Sequence, residues 1–242
     1  MSFVKSDRFS RYVGWAAYVS AVLAIVGFAF LFLLYYYALQ PNISVPGGAS
    51  ALDFGHISDI LGLVGSICTL PLPVALHALT SQRRPGLSWA AMALGVLGIL
   101  TIIVAQALLI AQIITFAVNL PLAMIGLALM GGWLILANHL GRAAGALSRW
   151  LGWLGELNGA AFLLLAGGVL LLVTRFDALT TGQPFQQYPA LIGVVVALAA
   201  PAILSHFLGF PIWLIGLGRR LVNAQTPQRQ SNLQPEPVGD PR

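Results

Sequence analysis

From Pro85 to Gly141 the chain runs without a single Asp, Glu, Lys or Arg. As one helix this stretch would form a rod of roughly 85 Å, against a bilayer hydrocarbon core of about 30 Å. It must therefore hold two crossings and a turn, and Asn119-Leu120-Pro121 supplies the amide and the proline that predict where the turn falls. Long apolar runs of the same kind predict six spans, at about residues 12–39, 57–79, 87–117, 122–140, 150–173 and 190–217. The first is too long for the apolar region of a cleavable signal and closes on Tyr35-Tyr36-Tyr37 without a small-residue cleavage site, so it is expected to stay as an anchor. Residues 222–242 are rich in Gln, Asn and Pro and are expected to be disordered. The fold class predicted is all-α, a polytopic transmembrane bundle of six helices.

Composition strengthens this reading: 58% of residues are hydrophobic and only 8% charged, where a soluble domain carries about a quarter. Charge then gives direction. On alternate sides of the six spans, Lys5, Arg8, Arg11, Arg83, Arg84, Arg142, Arg149, Arg219, Arg220, Arg229 and Arg242 fall on one side, and Arg175 stands alone on the other. Because cytoplasmic loops keep their positive residues, both termini are expected in the cytoplasm. The net charge of +5 is thus accounted for by orientation, and no basic face of any length points to nucleic acid. The third and fifth spans open as the first does, with an arginine followed closely by tryptophan (Arg11 and Trp15, Arg84 and Trp89, Arg149 and Trp150), as interfacial anchors do.

A few polar residues interrupt the apolar text. Glu156 lies inside the fifth span at a depth close to that of Asn138, His139 and Arg142, and an intramembrane carboxylate is either paired or functional. Two readings stay open: a polar clamp between the fourth and fifth helices, or a proton or substrate site formed by Glu156, Asn138 and His139 together with His206. His206 sits near mid-bilayer between Pro201 and Pro211, each of which removes a backbone donor; the freed carbonyls suit a bend, a hinge or a cavity. Asp53, His56 and Asp59 follow at i, i+3 and i+6 at the mouth of the second helix, where Asp53 is expected to act as N-cap; a metal would need ligands this segment lacks. Gln106 and Gln112 are expected to form interhelical hydrogen bonds. His77 and His139, both near the cytoplasmic surface, are the pair that would share a haem b as axial ligands; no other cofactor is suggested, and no metal site. Cys68 is the single cysteine, so an intramolecular disulfide is excluded. There is no HExxH, no GxxxxGK[ST] and no intramembrane lysine for a retinal Schiff base, which argues against an enzyme.

Glycines are frequent on these helices, including the Gly155–Gly159 pair, and serve either helix packing or association with other membrane proteins or a second copy. The segment from Gly126 to Leu164, with its Leu- and Gly-rich helix, short basic loop and Arg149-Trp150-Leu151-Gly152-Trp153-Leu154-Gly155, resembles a group of bacterial multi-span proteins defined as a domain of unknown function. The ending Phe210 to Leu221 also resembles that group's final span. The resemblance implies a six-helix protein of the bacterial inner membrane and carries over no active residues. Three functions remain in view: a non-catalytic structural or accessory component of a membrane assembly, a small-molecule or proton-coupled transporter using Glu156 and His206, and a haem-bearing electron carrier.

Overall fold

The computed structural model describes residues 7–39, 51–82, 84–175 and 203–223, and every element among them is helical. The chain forms α1 (Asp7–Leu39), α2 (Ala51–Thr69), α3 (Pro71–Thr80), α4 (Pro85–Ile110), α5 (Phe116–Ala143), α6 (Arg149–Arg175), a π-helical turn (Ser205–Gly209) and α7 (Phe210–Asn223). Five segments among the described residues are long and apolar enough to cross a membrane, α2 and α3 together making one of them. The start of the sixth expected span, Pro201, Arg83 and residues 224–242 lie outside the described residues, as do the connections 40–50 and 176–202. Large apolar side chains such as Val22, Phe32, Leu97, Val104 and Leu164 are exposed along these helices. Exposure on this scale is expected when lipid, not water, is the solvent.

Two boundaries differ from expectation. The turn between the third and fourth spans is at residues 111–115, before Asn119 and Pro121, which both lie inside α5. α4 ends in a Schellman arrangement: Ile113 N–H donates to Leu108 O, Gln112 N–H donates to Leu109 O, and Gln112 itself takes φ 57°. A glutamine in the left-handed region gives no turn signal, whereas the proline that does give one is accommodated early in a helix, where few backbone donors are lost. The Gln112 side chain is accordingly exposed in this turn and has no interhelical bond among the described residues. The second span is broken at Leu70 by Pro71 and Pro73, and it begins at Ala51, so Asp53 lies in the first helical turn, where the dipole favours it, instead of at the N-cap.

Helices neighbouring in sequence pack together: α1 on α2, α4 on α5 and α5 on α6, with α2 touching α4. α7 returns to α1 and touches α6, which closes a ring. Backbone contact at glycine joins three of these pairs. Gly98 faces the carbonyl of Gly126, Gly131 that of Gly159, and Gly14 that of Gly218. Each relation is reciprocal, and a Cβ at Gly131 would stand only 2.7 Å from Gly159 O. Lipid tails are as apolar as leucine, so close approach and the dispersion it allows, more than water exclusion, hold such helices together. α1 and α2 are joined differently: Ser20 Oγ donates to Gly65 O and Ser58 Oγ to Gly27 O, both at 3.0 Å.

One end of the ring is filled by a packed core. The break at Leu70 lets α3 contact α1, α4 and α5, and Leu72 and Leu76 are fully buried with Trp133, Leu134, Trp213 and Leu217. Trp133 and Trp213 meet edge to face at 6.0 Å, and Trp213 Nε1 donates to Asn138 Oδ1 at 2.9 Å. This is the end that carries Arg8, Arg11, Arg84, Arg142, Arg149, Arg219 and Arg220, since α1 begins, α3, α5 and α7 end and α4 and α6 begin there. Trp15, Trp89, Trp150 and Trp153 form an exposed aromatic girdle around it. Replacing Gly131 by leucine is expected to lower stability in detergent by about 2–3 kcal/mol through overpacking. Gly167→Ala, inside α6 at a position open to space, should not lower it and is expected to add up to about 1 kcal/mol through helix propensity; denaturant titration of both variants checks the contrast.

Candidate functional site

At the other end the described residues leave a cavity inside the ring. α2 turns one face inward, and on it stand Ser58, Asp59, Gly62, Gly65, Ser66 and Thr69, spaced as successive turns of a single helix face. Small and polar side chains cannot fill the space that α3 fills at the arginine end. What remains is a cavity of about 290 Å³ between α1, α2, α4, α5 and the π turn, lined further by Ser20, Phe28, Gln106, Met130 and Phe207.

Its polar groups are organised in two levels. Deeper in, the hydroxyls of Ser20 and Thr69 lie 2.6 Å apart, and each is within reach of Gly65 O, so one donates to the other and the last donates to the carbonyl. Nearer the open half, Gln106 Nε2 donates to Asp59 Oδ1 at 2.7 Å, linking α4 to α2 across the cavity wall. This is the interhelical bond expected of Gln106, with a partner that sequence reading had placed among end-capping acids. Cys68, on the same helix, is a free thiol.

His206 reaches the same cavity from the π turn. Pro211 has no N–H to give to Phe207 O, and the chain widens just before it: Phe210 N–H bonds Ser205 O in place of the residue four back. The imidazole is enclosed by Phe162, Phe207 and Phe210, with ring centroids at 5.1, 4.9 and 6.4 Å. Its buried Nδ1 finds no partner among the described residues. In the same turn, Ser205 Oγ donates to Asn158 Oδ1 at 2.5 Å, a part-buried pairing that sequence reading missed. A serine ahead of the kink and a lone amide on α6 were its only traces in the sequence.

Glu156 and His206 are not brought together. Glu156 receives Arg142, with Nη2 at 2.7 Å from Oε1 and 3.0 Å from Oε2 and Nε at 3.1 Å from Oε1. The guanidinium also lies over Trp153 at 4.1 Å. His139 Nδ1 stands 3.7 Å from Glu156 Oε1 while its ring is largely exposed. Asn138 faces away from this pair, donating to Leu134 O and accepting from Trp213. The bidentate arrangement is a clamp between α5 and α6 at the arginine end; Gly152 gives Arg142 the room to lie down, since any Cβ there would strike its side chain. His77 turns Nδ1 toward Ser88 Oγ at 2.8 Å, in a cluster completed by Thr80, and its ring lies against Trp89.

Comparison with protein-family models, curated proteins and solved structures finds no match. The chain is a multi-pass helical membrane protein on the evidence of its own helices, and its site is defined by geometry alone. Glu156→Gln, which leaves the Arg142 charge without its partner inside the helix pair, is expected to cost about 2–4 kcal/mol of stability. The matched charge reversal Arg142→Glu with Glu156→Arg should recover part of that loss, which thermal unfolding of the three variants will measure.

Proposed function

We propose that this protein binds a small solute in the chamber between α1, α2 and α4 and carries it across the bilayer, with Asp59, Gln106 and His206 as the ligand-facing groups. The observation that carries the reading is the Asp59 carboxylate held by Gln106 on the wall of a cavity inside the helix ring. Ionisable groups are expensive within a membrane and are kept where they face an interior path. Among the described residues, the packed core of the arginine end and the cavity in the opposite half fit one access state of a carrier. With positive residues retained in the cytoplasm, that state opens away from the cytoplasm, with both termini on the cytoplasmic side. The resemblance over residues 126–221 supports the bacterial inner membrane as the location.

Within this reading Glu156 is a structural clamp, and the titrating role assigned to it from sequence passes to Asp59. Of the glycines that suggested a scaffold or accessory component, Gly14, Gly98, Gly126, Gly131, Gly159 and Gly218 are spent on contacts within the chain, while Gly62, Gly167 and Gly168 face open space, so association with a partner remains an alternative reading. The haem carrier remains a second alternative: Ser88 engages His77 at Nδ1, which leaves Nε2, the nitrogen an axial ligand uses.

Solid-supported-membrane recordings on the full chain in proteoliposomes, screened with small amines, amino acids and polyols, test the proposal. A solute-evoked current is expected, reduced about tenfold or more by Asp59→Asn and by His206→Ala. It should persist in the Arg142/Glu156 charge-reversed protein. Currents indifferent to Asp59→Asn, or no current with any solute, would overturn it.

A further inference from the structure

The polar chamber has a neighbour. Phe28, Leu31, Ile102, Leu127, His206 and Phe207 line it and also line a second cavity of about 530 Å³. That second space reaches between α1, α5 and α6, and among the described residues its further walls are Phe32, Ala123, Met124, Leu165 and Ile203, which are apolar. The two spaces therefore share one partition, at whose centre Phe28 and Phe207 stack with ring centroids 3.9 Å apart. Among the described residues, hydroxyls, an amide and a carboxylate stand on one side of the partition, and hydrocarbon and His206 on the other.

The polar side has a definite sign. Gln106 occupies one oxygen of Asp59 through its amide N–H, and its own Oε1 and the second carboxylate oxygen are acceptors. Ser20, Ser58, Ser66 and Thr69 line the same space, and no lysine or arginine does so among the described residues. Sequence places His56 one turn earlier on α2, where it is exposed. A carboxylate on such a wall is best neutralised by a cation brought by the ligand, and an alkylammonium group offers the several N–H donors that these acceptors require. The two cavities each fall within or near the roughly 300–1,000 Å³ of sites that enclose an organic ligand.

We propose that the two spaces hold one cationic amphiphile, its ammonium head on Asp59 and Gln106 and its aliphatic tail passing Phe28 and Phe207 into the chamber between α1, α5 and α6. The inference rests on the solute-binding reading and names the class of solute.

Thermal unfolding of the full chain in lipid nanodiscs, titrated with ethylammonium, hexylammonium and decylammonium and with decanoate, tests it. Affinity should rise along the ammonium series, by up to about fourfold for each methylene that enters the apolar chamber. Decanoate, with the same tail and the opposite charge, should bind at least about tenfold more weakly than decylammonium, and Asp59→Asn should remove that difference. Met124→Trp, which narrows the apolar chamber and leaves the head site intact, should spare ethylammonium and abolish the gain from hexyl to decyl. Decanoate binding as tightly as decylammonium, or a chain-length gain that Met124→Trp does not alter, would reject the amphiphile. Ethylammonium binding that needs Asp59 but gains nothing from a longer tail would also reject it, while leaving a small-solute site standing; loss of all Asp59-dependent binding would remove both.

Discussion

Inside hydrocarbon a polar side chain has no solvent to turn to, so it must find its partner within the protein. This constraint organises the molecule. It turns the small and polar face of α2 inward, sets Ser20 and Ser58 on the carbonyls of Gly65 and Gly27, and draws Gln106 across to Asp59. It also explains why the Arg142–Glu156 pair is bidentate and roofed by Trp153, and why Asn138 is satisfied by Leu134 and Trp213 at once. Glycine does complementary work: where Gly98 meets Gly126 and Gly131 meets Gly159, backbones approach closely enough for dispersion to hold helices that hydrophobicity cannot separate from lipid.

The two ends of the ring differ because the second span is broken. Pro71 and Pro73 end one helix and begin another, and the short second piece lies against α1, α4 and α5 as a plug of Leu72, Ala75 and Leu76. Above the break the same span is a continuous helix whose inward residues are too small to fill the ring. A second irregularity, the π turn before Pro211, stands at the cavity's edge and carries His206 into it. Both irregularities come from proline, and both fall beside the chamber, where unpaired carbonyls and bends are tolerated because they border a cavity instead of lipid.

How much of this was legible in the chain depends on the length scale. The crossings could be read because bilayer thickness and the absence of charge from 85 to 141 leave little freedom. The turn at 111–115 could not: its left-handed residue is Gln112, whereas the residues that look like a turn, Asn119 and Pro121, fit within a helix. The clamp was legible as four polar residues of similar depth, but the geometry separates Asn138 from it and leaves His139 at its edge. The chamber was present as a pattern, Ser58, Asp59, Gly62, Gly65, Ser66 and Thr69 recurring on one helix face. Its meaning depended on which helices face it, and the Asp59–Gln106 bond spans 47 positions, a separation on which a single sequence is silent.

The central claim is that the inward face of α2 borders a space that water and solutes enter, while Leu134 lies in the packed core toward the arginine end. Single-cysteine labelling in intact cells tests it most directly: with Cys68 replaced by alanine, Ser66→Cys and Leu134→Cys are exposed in turn to a small, charged, water-soluble thiol reagent. The account predicts that Ser66→Cys reacts at least about tenfold faster than Leu134→Cys, because a thiol reacts as thiolate where water reaches it. Ser66→Cys as inert as Leu134→Cys would contradict it.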